Sequence, residues 1–409
     1  MKGMRFGLLA AVAAICCGCF AAERPWLVVN EDNDHYFKQD ASLMTEAGLI
    51  AYVDGIAQGH VTHFFMCVNG QRTSYASKTW EPIWTNLDTD RALQPTGPNH
   101  TRDVWAVNAK KFSDAGIDPY AVWTRRCREK GVSPWISMRM NDVHFSEITN
   151  FFRNTTFCRT RRDLWRVPDA PDGDETWAKY ALDYAHPEVR EYNLAQFREI
   201  AERWDADGVE LDWMRFGEHL KPGREVEDAH FLTEFMRAAR RIADEVSAKR
   251  GRKLQIAVRV PRSPELAMRT GFRVDDWVKE GLVDLVIGHS FLNADFDLPV
   301  DTWQKFLAER DPKVRFLPGI DIVAKPADRK LKTKPVYMTM AHYRGIADNF
   351  YRRGAKGLYL FNAPYLPKVF AEICREGLSP AAVAAGEKLY AETQPDFPPD
   401  YGPGEPKRR

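Results

Sequence analysis

The chain has 409 residues, with 58 Lys plus Arg against 57 Asp plus Glu and a formal net charge of +1. So even a balance creates no one-signed field, which argues against nucleic acid or an acidic membrane surface as a partner. The length suits either two domains or one eight-fold α/β barrel with insertions. The 12 Trp serve sugar stacking as well as they serve a large core.

At the amino terminus Lys2 and Arg5 precede an apolar run from Phe6 to Ile15 and then small residues up to Ala22. This is the pattern of a secretory signal, too short to span a bilayer. Residues 1–22 are therefore expected to be removed, with cleavage after Ala21 or Ala22, or with Gly18-Cys19 serving as a lipid-anchor site. Either route makes the protein an exported one, periplasmic or extracellular. No further transmembrane span is expected. The remaining cysteines, Cys67, Cys127, Cys158 and Cys374, are widely spaced and form no Cys-x-x-Cys pair. No zinc site or other cofactor is expected from them, and Cys67, inside an apolar strand, reads as a buried thiol.

Eight short apolar runs with strand character alternate with helical patterns, the signature of repeated βα units. They are Trp26 to Asn30, His63 to Asn69, Ser133 to Asn141, Gly208 to Met214, Leu254 to Val260, Val283 to His289, Val314 to Ile320 and Gly357 to Asn362. Closure into a (β/α)₈ barrel removes the edges that an open sheet would expose. Two connections, Gly70 to Ile117 and Asp142 to Pro187, are long insertions after the second and third strands, on the face where such barrels work. They carry Trp80, Trp84, Trp105, Trp165 and Trp177, which either wall a cleft or pack the insertions. Helices are expected from Pro187, and along the stripe Phe231, Phe235, Met236, Ala239, Ile242 and Val246, with Arg237, Arg240 and Lys249 outside it and Gly251 as its cap. The barrel domain is expected over residues 23–390, and 391–409 form a tail rich in Pro and charge.

Period-two alternation in the fourth strand sends Val209, Leu211 and Trp213 toward the helices and Gly208, Glu210 and Asp212 into the lumen. Two carboxylates facing the barrel axis near a strand's carboxyl end are candidates for acid, base or nucleophile. The same alternation puts Ser137, Arg139 and Asn141 inward from the third strand and Arg259 inward from the fifth. Glu210, the deeper acid, is expected to pair with Arg139 or Arg259, which leaves Asp212 at the rim to meet substrate.

The run Asp207-Gly208-Val209-Glu210-Leu211-Asp212-Trp213 resembles the fourth-strand signature of glycoside hydrolase family 18, with Met214 where that signature has its catalytic Glu. A broader pattern resembles the family-10-like glycosyl hydrolases, in which Asp-Gly-x-x-x-Asp-x-x-Arg ends the fourth strand, here Asp207, Gly208, Asp212 and Arg215. The segments Ser137 to His144 and Gly354 to Asn362 are similar to parts of the same group. This second resemblance implies carbohydrate hydrolysis without naming the sugar. Membership of family 18 would instead imply a barrel that binds carbohydrate and does not cleave it.

Glycosidic cleavage normally needs two carboxyl groups. Beside Asp212 the rim offers Glu31, Asp32, Asp34, Asp142, Asp295, Asp297 and Asp321, and Asp321 ranks first because it directly follows a strand end. Arg139, Asn141, Asp142, His144, Arg215, Arg259, His289 and Asn362 are the expected substrate-binding groups, since directional donors and acceptors are what a hydroxyl-rich ligand requires. His35 and His144 with Asp32 or Asp34 match no metal-ligand spacing, so no metal is expected. No Gly-x-Ser-x-Gly elbow occurs, which argues against the common esterase plan.

Overall fold

The computed structural model describes residues 24–85, 101–148, 151–170, 177–325 and 336–393. Eight parallel strands close into a barrel in the order first, eighth, seventh, sixth, fifth, fourth, third, second. They are Trp26–Glu31, His63–Cys67, Ser133–Arg139, Gly208–Asp212, Gln255–Pro261, Leu285–His289, Arg315–Ile320 and Gly357–Leu360. Each lies within two residues of the run that the apolar pattern marks out. The ladder steps by two residues at four junctions: Val28 faces His63, Trp135 faces Gly208, Ala257 faces Leu285, and Gly319 faces Tyr359. Together these steps give a shear of about eight residues, the stagger of a (β/α)₈ barrel.

Alternation then builds two cores. Val209, Leu211 and Trp213 join the outer layer between strands and helices, with Phe235, Met236 and Trp277. Inside, Val28, Phe65, Trp135, Leu285, Leu317 and Tyr359 plug the lower lumen, and the Phe65 and Trp135 rings stack 4.8 Å apart. Gly208 makes room for this plug, because a Cβ there would overlap the Trp135 ring. The lower lumen is thereby filled, and the polar lumen residues lie toward the upper, carboxyl-terminal end.

The helix Pro187–Arg203 starts on its proline, and Ala229–Arg250 ends with Gly251 in the left-handed region at φ 69°. One expectation about this second helix fails: Arg240 is buried, donating to the Leu254 carbonyl at 2.9 Å and pairing with Asp284 at 3.2 Å. The helix uses its aliphatic stem as core and its head to tie the next strand. The first insertion contains a helix, Thr101–Asp114. Its Trp105 is buried and donates to Ser74, while Trp80 is buried and stacks on Tyr192 at 4.6 Å. With Trp165 also buried and Trp84 packed on the outer core, these rings hold the insertions together, and Trp165 and Trp84 each also line a surface cavity, the first with Gln71 and Tyr180 and the second with Phe112 and Arg203. The side chain of Trp177 lies outside the described residues, as do the amino-terminal segment 1–22 and the tail beyond Thr393.

Cys67, Cys127, Cys158 and Cys374 are all free thiols, and burial pushes Cys67 up to about 12. Among the described residues no helix is long and apolar enough to cross a membrane, and no cluster of three His, Cys, Asp or Glu is placed to hold a metal.

Candidate active site

Register decides what each lumen acid meets. Arg139, Asp212 and Arg259 occupy one rung of the ladder across the third, fourth and fifth strands. One layer deeper, Glu210 lies between Ser137 and Ala257. Arg259 therefore reaches Asp212, Arg139 reaches the rim acids, and neither pairs with Glu210, which overturns the expected pairing. Arg259 clasps Asp212 in a fork, Nε to Oδ1 at 2.8 Å and Nη2 to Oδ2 at 2.7 Å, with both side chains 1% exposed. Oδ1 also accepts from the Met214 N–H at 3.0 Å, so Oδ2 keeps an unused lone pair. The Arg259 guanidinium lies 3.9 Å over the Phe361 ring, closing its other face.

Glu210 is fully buried, faces the Ser137 and Tyr359 hydroxyls, and among the described residues none of these groups, nor either polar atom of Asn30, closes a hydrogen bond of full geometry. Burial, reinforced by the charge of Asp212, pushes Glu210 up to about 7. It is thus a neutral acid through much of the range in which its neighbour is ion-paired.

Around the rim the loop carboxylates are mostly committed. Arg139 donates to Asp32 at 2.5 Å, Asp142 at 3.0 Å and Asn33 at 3.1 Å. Glu31 takes His35 at 2.8 Å and the Tyr52 hydroxyl. Asp34 is held by Lys38 at 2.7 Å, Arg153 at 3.2 Å and Tyr365 at 2.5 Å, and Asp295 by Arg262 at 2.5 Å and Ser290 at 2.8 Å. Burial alone would raise Asp142 and Asp34, but the cations around them keep both well below the usual carboxylate range.

Two imidazoles are fixed in one tautomer by arginines that can only donate. Arg215 donates to His144 Nε2 at 2.8 Å, so His144 carries its proton on Nδ1, facing Asp142 at 2.9 Å. Arg259 donates to His289 Nδ1 at 3.1 Å, which puts the His289 proton on Nε2, where it has no partner. Burial and the nearby arginines hold both rings below the ordinary histidine value. Gly319 is what allows this placement, because a Cβ there would overlap the His289 ring.

Asp321, one residue past the seventh strand, differs from these other rim acids. Among the described residues no cation closes a salt bridge with it; Oδ1 accepts the Ile322 N–H at 2.7 Å and Oδ2 has no partner. Burial pushes it up to about 6, although Arg215, Arg259 and Lys325 are near enough to pull it down in part. Asn362 is also at this rim, in the left-handed region at φ 55°, with Oδ1 unpartnered. Phe145 and Leu292, in the loops after the third and sixth strands, share that unusual backbone. Such conformations cost about 1–3 kcal/mol each and gather at functional faces.

The structure brings Arg139, Asp142, His144, Asp212, Arg215, Arg259, His289 and Asp321 together at the carboxyl end of the barrel. Asn141 is engaged elsewhere. Its amide bonds the Leu182 N–H at 3.0 Å and the carbonyls of Leu182 and Glu218 at 2.9 Å, which pins the insertion and leaves nothing for a ligand. Asp207 belongs to the opposite end, bound by Ser133 at 2.6 Å and Arg128 at 2.7 Å. Met214 packs with Val143, Ala181, Phe216 and Phe291 in an apolar wall beside the acids. Phe361 and Tyr359 were not singled out from the sequence, yet alternation from Gly357 already sends both inward.

No family model matches the chain, and no curated protein matches it. Solved structures do. An α-L-fucosidase isoenzyme 2 from Paenibacillus thiaminolyticus aligns with a TM-score of 0.50 at 14% identity, over 85% of this chain and 49% of that one. The PgaB (BpsB) glycoside hydrolase domain from Bordetella bronchiseptica aligns with a TM-score of 0.50 at 12% identity, over 87% of this chain and 99% of that domain. The likeness is one of fold. The chain thus spans about half the length of the fucosidase and nearly all of the hydrolase domain.

Proposed function

We propose that the protein is an exported glycoside hydrolase acting on a polysaccharide or oligosaccharide, with Asp321 as proton donor and Asp212 as the ionised partner. The observation that carries this reading is the contrast between the two acids at one barrel mouth. Asp212 is clasped by Arg259, whereas among the described residues no cation pairs with Asp321, which is pushed up to about 6. One carboxyl held in an ion pair and one buried outside it can divide the roles of base and acid. A donor near 6 still holds its proton at mildly acid pH, and the free Oδ2 of Asp321 is the atom from which it would pass to a departing glycosidic oxygen. Asp212 then acts through the open lone pair of Oδ2, as nucleophile or as base for water, and the separation of the two carboxyls in a substrate complex decides which.

A second reading, a carbohydrate-binding barrel without catalysis, is favoured by Met214. Where family 18 has its Glu, this chain puts a buried thioether in an apolar cluster. The two are separated by reducing-end release from plant, algal and microbial polysaccharides, with wild type, Asp321→Asn and Asp212→Asn compared. Loss of a general acid costs about 10²–10⁴-fold in turnover, so both variants should fall by at least about 10²-fold while still binding oligosaccharide. A glycan that binds tightly and is never cleaved supports the binding module. An Asp321→Asn enzyme with full activity removes Asp321 from the mechanism.

A further inference from the structure

Arg215 stands out among the buried cations of the mouth. It is 9% exposed, and among the described residues no carboxylate closes a salt bridge with it. Its one hydrogen bond goes to the neutral ring of His144, its Nε has no partner, and its guanidinium lies over Phe216 at 5.4 Å and Phe361 at 5.9 Å. Arg139 and Arg259, by contrast, are each paired with acids. Taking a charge out of water without a counter-ion is costly, and proteins leave such a charge only where something else completes it. Burial and the proximity of Arg139 and Arg259 weaken the hold of Arg215 on its proton, and Asp32 and Asp142, both already paired with Arg139, offset this only in part.

The other open groups point the same way. Among the described residues the buried atoms without a partner around Arg215 include the donors Arg215 Nε, Arg139 Nε, Asn33 Nδ2 and His289 Nε2 and the acceptors Asp321 Oδ2 and Asn362 Oδ1. Open donors grouped about a buried guanidinium suit a ligand that brings charged acceptors of its own.

We infer that the site takes an acidic glycan, one whose sugar carries a carboxylate or a sulfate, and that Arg215 reads that anionic group through a charge-assisted, planar contact. This rests on the carbohydrate reading above and narrows it to a substrate class. Arg215 is here a binding residue, and no bond is made or broken at it.

The test is calorimetric titration at low ionic strength of the full-length protein with matched sugars. Glucuronate and galacturonate oligomers are compared with their methyl esters, and sulfated galactose and fucose oligomers with their desulfated parents. At least one acid should bind about tenfold or more tightly than its neutral counterpart. Arg215→Gln should abolish that preference, Arg215→Lys should keep part of it, and unchanged thermal melting shows that both fold. The uronate and sulfate arms tell the two anions apart. Equal binding of acids and neutral partners, binding of neither, or a preference that survives Arg215→Gln overturns the inference. Acid-selective binding without cleavage upholds it and defeats the hydrolase, whereas cleavage of a neutral glycan without acid preference does the reverse.

Discussion

The Arg259–Asp212 fork should be the most sensitive point of the barrel mouth, and Arg259→Met isolates it. The substitution keeps much of the apolar stem but removes two charge-assisted hydrogen bonds, 2.8 and 2.7 Å long, from a carboxylate that is 1% exposed. Asp212 is then left with the Met214 N–H alone. Removing one partner of a buried pair costs about 3–5 kcal/mol, because the remaining charge is neither solvated nor paired. Contact between Arg259 and the Phe361 ring at 3.9 Å adds to the loss, while methionine packing on that ring returns a part. Urea unfolding followed by tryptophan fluorescence and circular dichroism measures the loss. Arg259→Met combined with Asp212→Leu removes both charges and should recover most of the stability lost in the single variant. A loss under about 1 kcal/mol in the single variant, or a double variant no more stable than the single, would refute the claim that burial makes this pair indispensable.

Glu210→Gln should stabilise the protein above pH 7. The folded carboxyl is raised to about 7 from an ordinary 4.5, so the native state binds more protons between those values and loses stability as pH rises through them. Gln removes that loss, worth about 3 kcal/mol by the size of the shift, and unfolding midpoints measured from pH 5 to 8 should diverge progressively from wild type between pH 5 and 7 and hold a constant gap above it. Gly319→Ala pushes a Cβ into the His289 ring and should cost about 1–3 kcal/mol by overpacking, with activity falling as His289 is displaced. For the hydrolase itself, kcat/KM should decline as pH rises through about 6, where Asp321 loses its proton, and the residual rate of Asp321→Asn should lack that limb.

Much of the fold was legible. The eight apolar runs carry strand positions because their hydrophobic pattern and the helical periods between them are local properties, written in consecutive residues. Which side chains face the lumen was legible for the same reason: Glu210, Asp212, Arg139 and Arg259 all point where alternation sends them. The fate of the insertion tryptophans was not, since a ring packing an insertion and a ring walling a cleft have the same sequence signature. Nor was the duty of Asn141, whose partners Leu182 and Glu218 come from loops 41 and 77 residues away.

The roles of the two lumen acids depended on something the pattern of a single strand does not contain. Alternation tells which face a residue occupies, but its partner is fixed by how far each strand slides against the next. The barrel steps by two residues between the third and fourth strands and not at all between the fourth and fifth, since Gly208 faces Gln255. A further slip of two residues would have set Glu210 beside an arginine and left Asp212 with a neutral neighbour, while keeping every side chain on its observed face. The stagger of the closed barrel therefore has a chemical consequence: it sets both arginines on the rung of Asp212 and one layer away from Glu210. Carboxyls that are chemically alike in the sequence thereby become one ion-paired group, Asp212, and two that burial pushes upward, Glu210 and Asp321.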